Sequence, residues 1–256
     1  MNLVKILKES ADNFSEKPAF TVKIDFRSKT FSYNDVLKLA GKFAFYLEQE
    51  NITSKDKVII CAPNSPYWIC SFWGCLIQGV IVVPLDIQSS KEMIERVIKE
   101  TGAKLLIKHH FFRHELKEKI SYFQIEHFEE ILKKVDEADF KPEEVSADQI
   151  VQILYTSGTT GKPKGTVLTH RNLWANVNSV EQIIKLPFEN EKMLSLLPLS
   201  HIYEQNAGFL FPFKKGVQII YVHSFSEIKD LDEEASNYNN GCCSGILTTI
   251  NVPDRI

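Results

Sequence analysis

Residues 155–165 read YTSGTTGKPKG, and this stretch organises the rest of the chain around it. It offers almost nothing to a hydrophobic core. Gly158, Gly161 and Gly165 let the backbone turn tightly and bring N–H groups close to an anion. Thr156, Ser157, Thr159 and Thr160 add hydroxyl donors, and Lys162 and Lys164 add positive charge. A plain turn would need a glycine or two, not this density of donors. The composition therefore points to a phosphate cradle. The Walker A pattern fails, because Gly158 and Gly161 are too close together and Pro163 stands where Ser or Thr would meet magnesium. The flanks differ from a Walker loop as well. QIVQILY (149–155) alternates like a strand, and GTVLT (165–169) is again β-like, so a loop between two strands is expected, without a helix dipole behind it.

Working outward, the chain before the loop alternates helical and strand patterns. Val36, Ala40, Phe43 and Leu47 fall on one face of a helix over 34–49. KVIICAP (57–63) is a short β-rich run. The helix after it should be capped by Ser65, with Pro66 in its first turn. VIVVPL (80–85) and AKLLIK (103–108) are further strands, separated by a helix over 90–101 that Gly102 can end. Such alternation implies βαβ units and a mainly parallel sheet. Residues 113–149 are highly charged, with an amphipathic helix near 127–136, and read as a solvated surface connection. After the loop, 170–185 is a helix with Leu173, Val177, Val180 and Ile184 on one face. MLSLLPL (193–199) and VQIIYV (217–222) are buried strands. The fold class expected is α/β, with layered, mostly parallel β-sheets flanked by helices. The expected units are 1–185, ending in the phosphate loop and its helix, and 186–256, the start of a second α/β subdomain.

Hydrophobic residues make up 44% of the 256-residue chain and charged residues 25%, as in ordinary globular proteins. The formal net charge of -3 excludes a global basic field for nucleic acid. Cys61, Cys70, Cys75, Cys242 and Cys243 show no CxxC pair; the three in apolar stretches read as buried thiols, and the set points to a reducing, cytoplasmic compartment without a metal or a disulfide framework. His109, His110, His114 and His127 lie in or beside the charged stretch, with no ligand spacing to a partner. The apolar run 67–85 is long enough to span a membrane, but Gln78, Gly79 and Pro84 interrupt it, and a helix followed by a buried strand explains it better. No signal peptide is evident.

At this point the residues carry a family resemblance. YTSGTTGKPKG followed by THRN resembles the signature of the AMP-forming adenylating enzymes: acyl-CoA synthetases, peptide-synthetase adenylation domains and luciferases. LSLLPLSHIYEQ (194–205) is similar to a second block of that family, in the form common among long-chain acyl-CoA synthetases. TFSYNDV, DKVIICAPNSPYW and GVIVVPL fit its N-terminal arrangement. The resemblance covers nearly all of 15–225; SKDKV in place of a Gly-Asp-Arg-like turn, and Thr166 at a usually apolar position, are small departures.

The resemblance implies ATP-dependent activation of a carboxylic acid, in particular a fatty acid, to an acyl-adenylate, followed by transfer to coenzyme A. Thr156, Ser157, Gly158, Thr159, Thr160, Gly161 and Lys164 would then hold the β- and γ-phosphates, with a hydroxyl near Mg2+; Lys162 fits a solvated lysine equally well. His201 would line the acyl pocket, against the simpler reading of a histidine at a helix start. His170 and Arg171 read as the start of a helix without a chemical role. No YGxTE-type or TGD motif occurs, so the chain reads as the N-terminal portion of such an enzyme, an incomplete N-terminal domain of the adenylate-forming fold, whose partner would be the missing C-terminal half and which is expected to be inactive alone. A stand-alone, non-catalytic nucleotide- or acyl-binding module and part of an amino-acid adenylation domain stay open. So does peripheral membrane contact with a lipid substrate.

Overall fold

A computed structural model describes residues 2–24, 27–135, 145–156, 163–184 and 191–221. Two sheets carry the architecture. The six-stranded sheet has the order β6-β5-β3-β4-β7-β8: β3 (Lys57–Cys61), β4 (Ile81–Pro84), β5 (Leu105–Lys108), β6 (Ser121–Gln124), β7 (Ile150–Thr156) and β8 (Lys164–Thr169). All its pairings are parallel except the β7–β8 edge. The four-stranded sheet runs β2-β1-β10-β9, with β1 (Pro18–Ile24), β2 (Arg27–Ser32), β9 (Lys192–Ser195) and β10 (Gln218–Tyr221). Here β1 pairs β2 antiparallel, while β10 runs parallel to both β1 and β9. The expected layered, mostly parallel α/β architecture is present. The units expected as 1–185 and 186–256 share this second sheet, and the boundary between them falls at residues outside the described set.

Four of the helices start at side-chain caps. In α2 (Tyr33–Gln49), Ser32 and Asp35 form a reciprocal capping box. Ser65 caps α3 (Pro66–Ile77), and Pro66 needs no partner for an N–H at its first position. Ser90 caps α4 (Lys91–Thr101), which Gly102 ends at φ 62°, a conformation that costs glycine little. A second capping box, Thr169 with Asn172, opens α6 (His170–Ile183). The N-terminal α1 spans Val4–Phe14, and α5 spans Phe128–Leu132.

Strand alternation divides the interior into two cores. Val58, Ile60, Val82, Leu105 and Ile107 face the larger core, which gathers both sheets around α2 and α3. Ile59, Cys61, Val83 and Leu106 face the smaller one under α4. Trp68 and Trp73 of α3 are fully buried in the larger core, as their aromatic bulk favours. Helices α2 and α3 approach closely at Gly74, where an added Cβ would stand 2.7 Å from Phe43 Cδ1 and 2.8 Å from the Ala40 carbonyl oxygen.

Several elements depart from the sequence expectation. The run 193–199 is not a buried strand throughout: β9 ends at Ser195, its only buried residue, and Leu196 and Leu197 beyond it are exposed. The charged stretch 113–149 is more than a surface connection: β6 adds an edge strand, and Phe123, Ile125, Phe128 and Leu132 enter the larger core. Its helix is shorter than expected, Phe128–Leu132. Strands β1 and β2, which the sequence reading did not place, begin the second sheet. Among the described residues, no helix is long and apolar enough to cross a membrane. Cys61, Cys70 and Cys75 are buried free thiols; burial pushes Cys61 up to about 12 and the other two higher still. Cys242 and Cys243 lie outside the described residues.

Candidate functional site

The strands on either side of residues 157–162, β7 and β8, pair antiparallel. Tyr155 pairs with Gly165, and Thr156 pairs with Lys164. Gly165 packs tightly here: a Cβ would lie 3.0 Å from Ile153 Cγ2 and 3.3 Å from the Tyr155 ring. The hairpin is thereby drawn close at its neck. Tyr155 donates its hydroxyl to Glu100 at 3.0 Å; burial, then that bond, pushes the phenol up to about 12. Lys164 is exposed at the start of β8. Ser157, Gly158, Thr159, Thr160, Gly161 and Lys162 lie outside the described residues, as does the side chain of Thr156. The hairpin fixes both ends of the loop at the edge where β4 and β7 run in parallel, the carboxyl side of the sheet. Open α/β sheets bind ligands on that side.

The same side opens into a cavity of about 800 Å³. Segments following β3 (Ala62–Ser65), β4 (Asp86–Gln88), β5 (His109–Phe111) and β6 (Ile125 and Glu126) form one wall. Ser195, Leu196 and Pro198–Ser200, from the end of β9 onward, form the wall on the other sheet. The cavity thus lies between the two sheets.

A polar network fixes the second wall. Asn64 donates to Ser195 Oγ at 3.0 Å and to the Leu197 carbonyl at 2.7 Å, and accepts from the Leu199 N–H at 2.7 Å. Ser195 donates on to Glu204 Oε1 at 2.7 Å. Gln205 donates to the Leu199 carbonyl at 2.8 Å and accepts from Gln152 Nε2 on β7 at 2.8 Å. Residues 195–205 are therefore tied to both sheets. Burial raises the Glu204 carboxyl above the usual range, against the lowering effect of the Ser195 hydroxyl. Behind the network the chain continues as a π-helical segment, Glu204–Leu210, and a last helical turn, α7 (Phe211–Lys214). Phe209 anchors it, with ring centroids 5.4 Å from Trp73 and 5.7 Å from Phe72. A π-bulge of this kind often re-aims residues at functional sites.

His201 lies at the turn into this segment, one residue past the cavity wall at Ser200. Its N–H bonds to the Pro198 carbonyl at 2.9 Å, and its carbonyl accepts from Gln205 at 3.1 Å. The imidazole is exposed, as are Leu196, Leu197 and Tyr203. The helix-start reading of His201 describes its backbone, and the exposed ring remains available to a ligand. His170 is different. It starts α6, is 2% exposed, and accepts from the Leu3 N–H at 3.3 Å. Burial lowers it to about 4, so it is a neutral structural group.

Sequence reasoning passed over Asn64, Gln152 and Glu204 as joints of the site. Asn64 sits in the turn APNSP, where an asparagine needs no special explanation. Gln152 is a polar residue at a buried strand position, and this was the available signal.

A family profile described as "AMP-binding enzyme" matches residues 7–242. A 4-coumarate–CoA ligase of Petroselinum crispum is 28% identical over 222 residues, covering 80% of this chain and 40% of that protein. The chain spans less than half the length of the curated relatives it matches. Two solved structures from Mycobacterium tuberculosis share the fold. The N-terminal domain of FACL13 matches with TM-score 0.80 at 23% identity, covering 91% of this chain and 61% of that one. A fatty acyl CoA synthetase matches with TM-score 0.78 at 22% identity, covering 90% and 46%.

Proposed function

Because the chain belongs to the AMP-binding enzyme family, we propose that it carries the phosphate-gripping part of an enzyme that activates a carboxylic acid with ATP and passes the acyl group to coenzyme A. The observation that carries this reading is the β7–β8 hairpin. It ties both ends of a hydroxyl- and lysine-rich loop to the carboxyl side of a parallel sheet. In this reading ATP supplies the adenylyl group, and pyrophosphate leaves as the carboxylate attacks the α-phosphorus. The backbone N–H groups and hydroxyls of Thr156, Ser157, Gly158, Thr159, Thr160 and Gly161 bind the β- and γ-phosphate oxygens, and Lys164 adds its charge. Donors aimed at oxygens that gain charge in the transition state favour that state over the ground state. A hydroxyl of this loop would help hold Mg2+, which when bound would offset phosphate charge.

His201 orients the acid. The network through Asn64, Ser195 and Glu204 holds the backbone around it, so its position relative to the hairpin is set by both sheets. The acid is one with an apolar acyl group. PLSH at 198–201 favours a fatty chain, whereas the curated relatives are named for 4-coumarate, an arylpropenoic acid. The 256-residue chain by itself is proposed not to complete adenylation, since it supplies phosphate contacts without motifs for adenine and ribose. The complete reading frame, expressed and given ATP, Mg2+, coenzyme A and a panel of fatty, arylpropenoic and amino acids, should release AMP with one of the first two classes. AMP release only with amino acids would replace the thioester reading by peptide-type activation. Release with no acid, alongside intact ATP binding, would favour a non-catalytic nucleotide module.

A further inference from the structure

The cavity wall contributed by β5 and β6 holds a second set of ligand-type side chains, separate from the phosphate hairpin. His109 and His110 follow β5, and Glu126 follows β6. Sequence spacing gives the two histidines no partner; the parallel pairing of β5 with β6 brings Glu126 beside them. One ligand atom from each of the three lies within 4.8 Å of the others. His110 Nδ1 stands 3.3 Å from Glu126 Oε1, and the His109 and His110 ring centroids are 4.0 Å apart. The second carboxylate oxygen, Glu126 Oε2, is buried and has no hydrogen-bond partner among the described residues. Buried carboxylate oxygens are ordinarily satisfied, so this one calls for a further group.

We propose that His109, His110 and Glu126 form a binding site for a zinc-class divalent transition-metal ion, with a remaining coordination position facing the cavity. Metal–ligand bonds of about 2.0–2.2 Å at tetrahedral angles place ligand atoms about 3.3–3.5 Å apart. The His110–Glu126 pair already has that spacing. Bringing in His109 requires a closure of at most about 1.5 Å, within reach of ring rotation at an exposed loop. Two imidazoles and one carboxylate suit zinc, copper or nickel, whereas magnesium and calcium prefer all-oxygen sets. The site is thus chemically distinct from the Mg2+ expected with the nucleotide. Three protein ligands with an open position are the pattern of zinc sites that hold water or a small anion. All three residues line the cavity, so that position can take a water or a carboxylate entering it. The ion also joins the ends of β5 and β6, stiffening this wall.

The test uses tag-free full chain, freed of metal with a chelator and then titrated with cobalt(II) and zinc(II). Cobalt(II) should give the intense visible bands of a four-coordinate N/O site, and zinc should displace it at one equivalent. His110→Ala and Glu126→Gln should each weaken zinc binding by at least about 10-fold, as losses at or around a metal shell do. His127→Ala removes a comparable exposed His–Glu contact, His127 to Glu130 at 3.2 Å, and should leave binding unchanged. Circular dichroism confirms that each variant stays folded; Glu126→Gln keeps the side-chain shape and is the decisive variant. Binding that is absent in the parent, or equal in the parent and in Glu126→Gln, overturns the proposal. So does a loss that His127→Ala reproduces.

Discussion

Replacing Asn64 by alanine should weaken the joint between the two sheets by a predictable amount. Asn64 makes three side-chain hydrogen bonds, to Ser195 Oγ, the Leu197 carbonyl and the Leu199 N–H. A protein hydrogen bond contributes a net of about 0.5–1.5 kcal/mol, so the three together represent about 1.5–4.5 kcal/mol. The bond to the Leu197 carbonyl is exposed, and water replaces it at little cost. The other two remain, along with a Leu199 N–H left without its acceptor. The net loss comes to about 2 kcal/mol, with little cavity cost because the side chain is small. Asn64→Asp separates geometry from size. It keeps the acceptor for Leu199 but loses both donors and sets a carboxylate against the Leu197 carbonyl, so it should cost as much as alanine or more. Urea denaturation followed by tryptophan fluorescence measures both, with the slope m compared to show that the unfolding unit is unchanged. A loss under about 0.5 kcal/mol for Asn64→Ala, or an Asn64→Asp protein as stable as the parent, would refute the view that this side chain clamps residues 195–205.

Gly74→Ala places a methyl 2.7 Å from Phe43 Cδ1 and against backbone at Ala40, so it should destabilise by about 1–3 kcal/mol despite alanine's better helix propensity; a raised melting temperature would contradict the close α2–α3 packing. His170 is held neutral, with its folded value lowered from 6.5 to about 4. The unfolded chain therefore binds more protons between those values, and stability present above pH 6.5 is lost as the pH falls through 6.5 toward 4. The loss reaches up to about 3 kcal/mol. His170→Asn, followed by denaturation midpoints from pH 7 to pH 4, should show a shallower acid decline than the parent; equal declines would mean that His170 charges without penalty.

The helices were legible because their signals are local. Ser65 with Pro66 announces the start of α3, and Gly102 the end of α4, within a few residues, while the apolar spacing of Val36, Ala40, Phe43 and Leu47 marks α2. Buried strands β3, β4 and β5 were legible as apolar runs, since both of their faces are covered. Strand β6 was hidden because Ser121 and Tyr122 are exposed and only Phe123 of its four residues is buried, within a charged stretch. Strands β1 and β2 were hidden because β1 finds its parallel partner β10 almost 200 residues later, a pairing that local pattern cannot encode. The site divides along the same line. The loop 155–165 advertises its chemistry through composition alone. Asn64 acquires its role from contacts with Ser195 and Leu199, and Glu126 acquires its neighbours from the β5–β6 register, so neither carries a local mark.

The most direct test of the central claim is ATP–pyrophosphate exchange by the protein of the complete reading frame, with and without Lys164→Ala. The account predicts exchange that depends on a carboxylic acid, and a drop of about 10–100-fold in ATP affinity or exchange rate when Lys164 loses its charged contact to phosphate. Exchange that is independent of any acid, or an Lys164→Ala protein that exchanges as fast as the parent, would contradict the assignment of the β7–β8 hairpin as the phosphate grip.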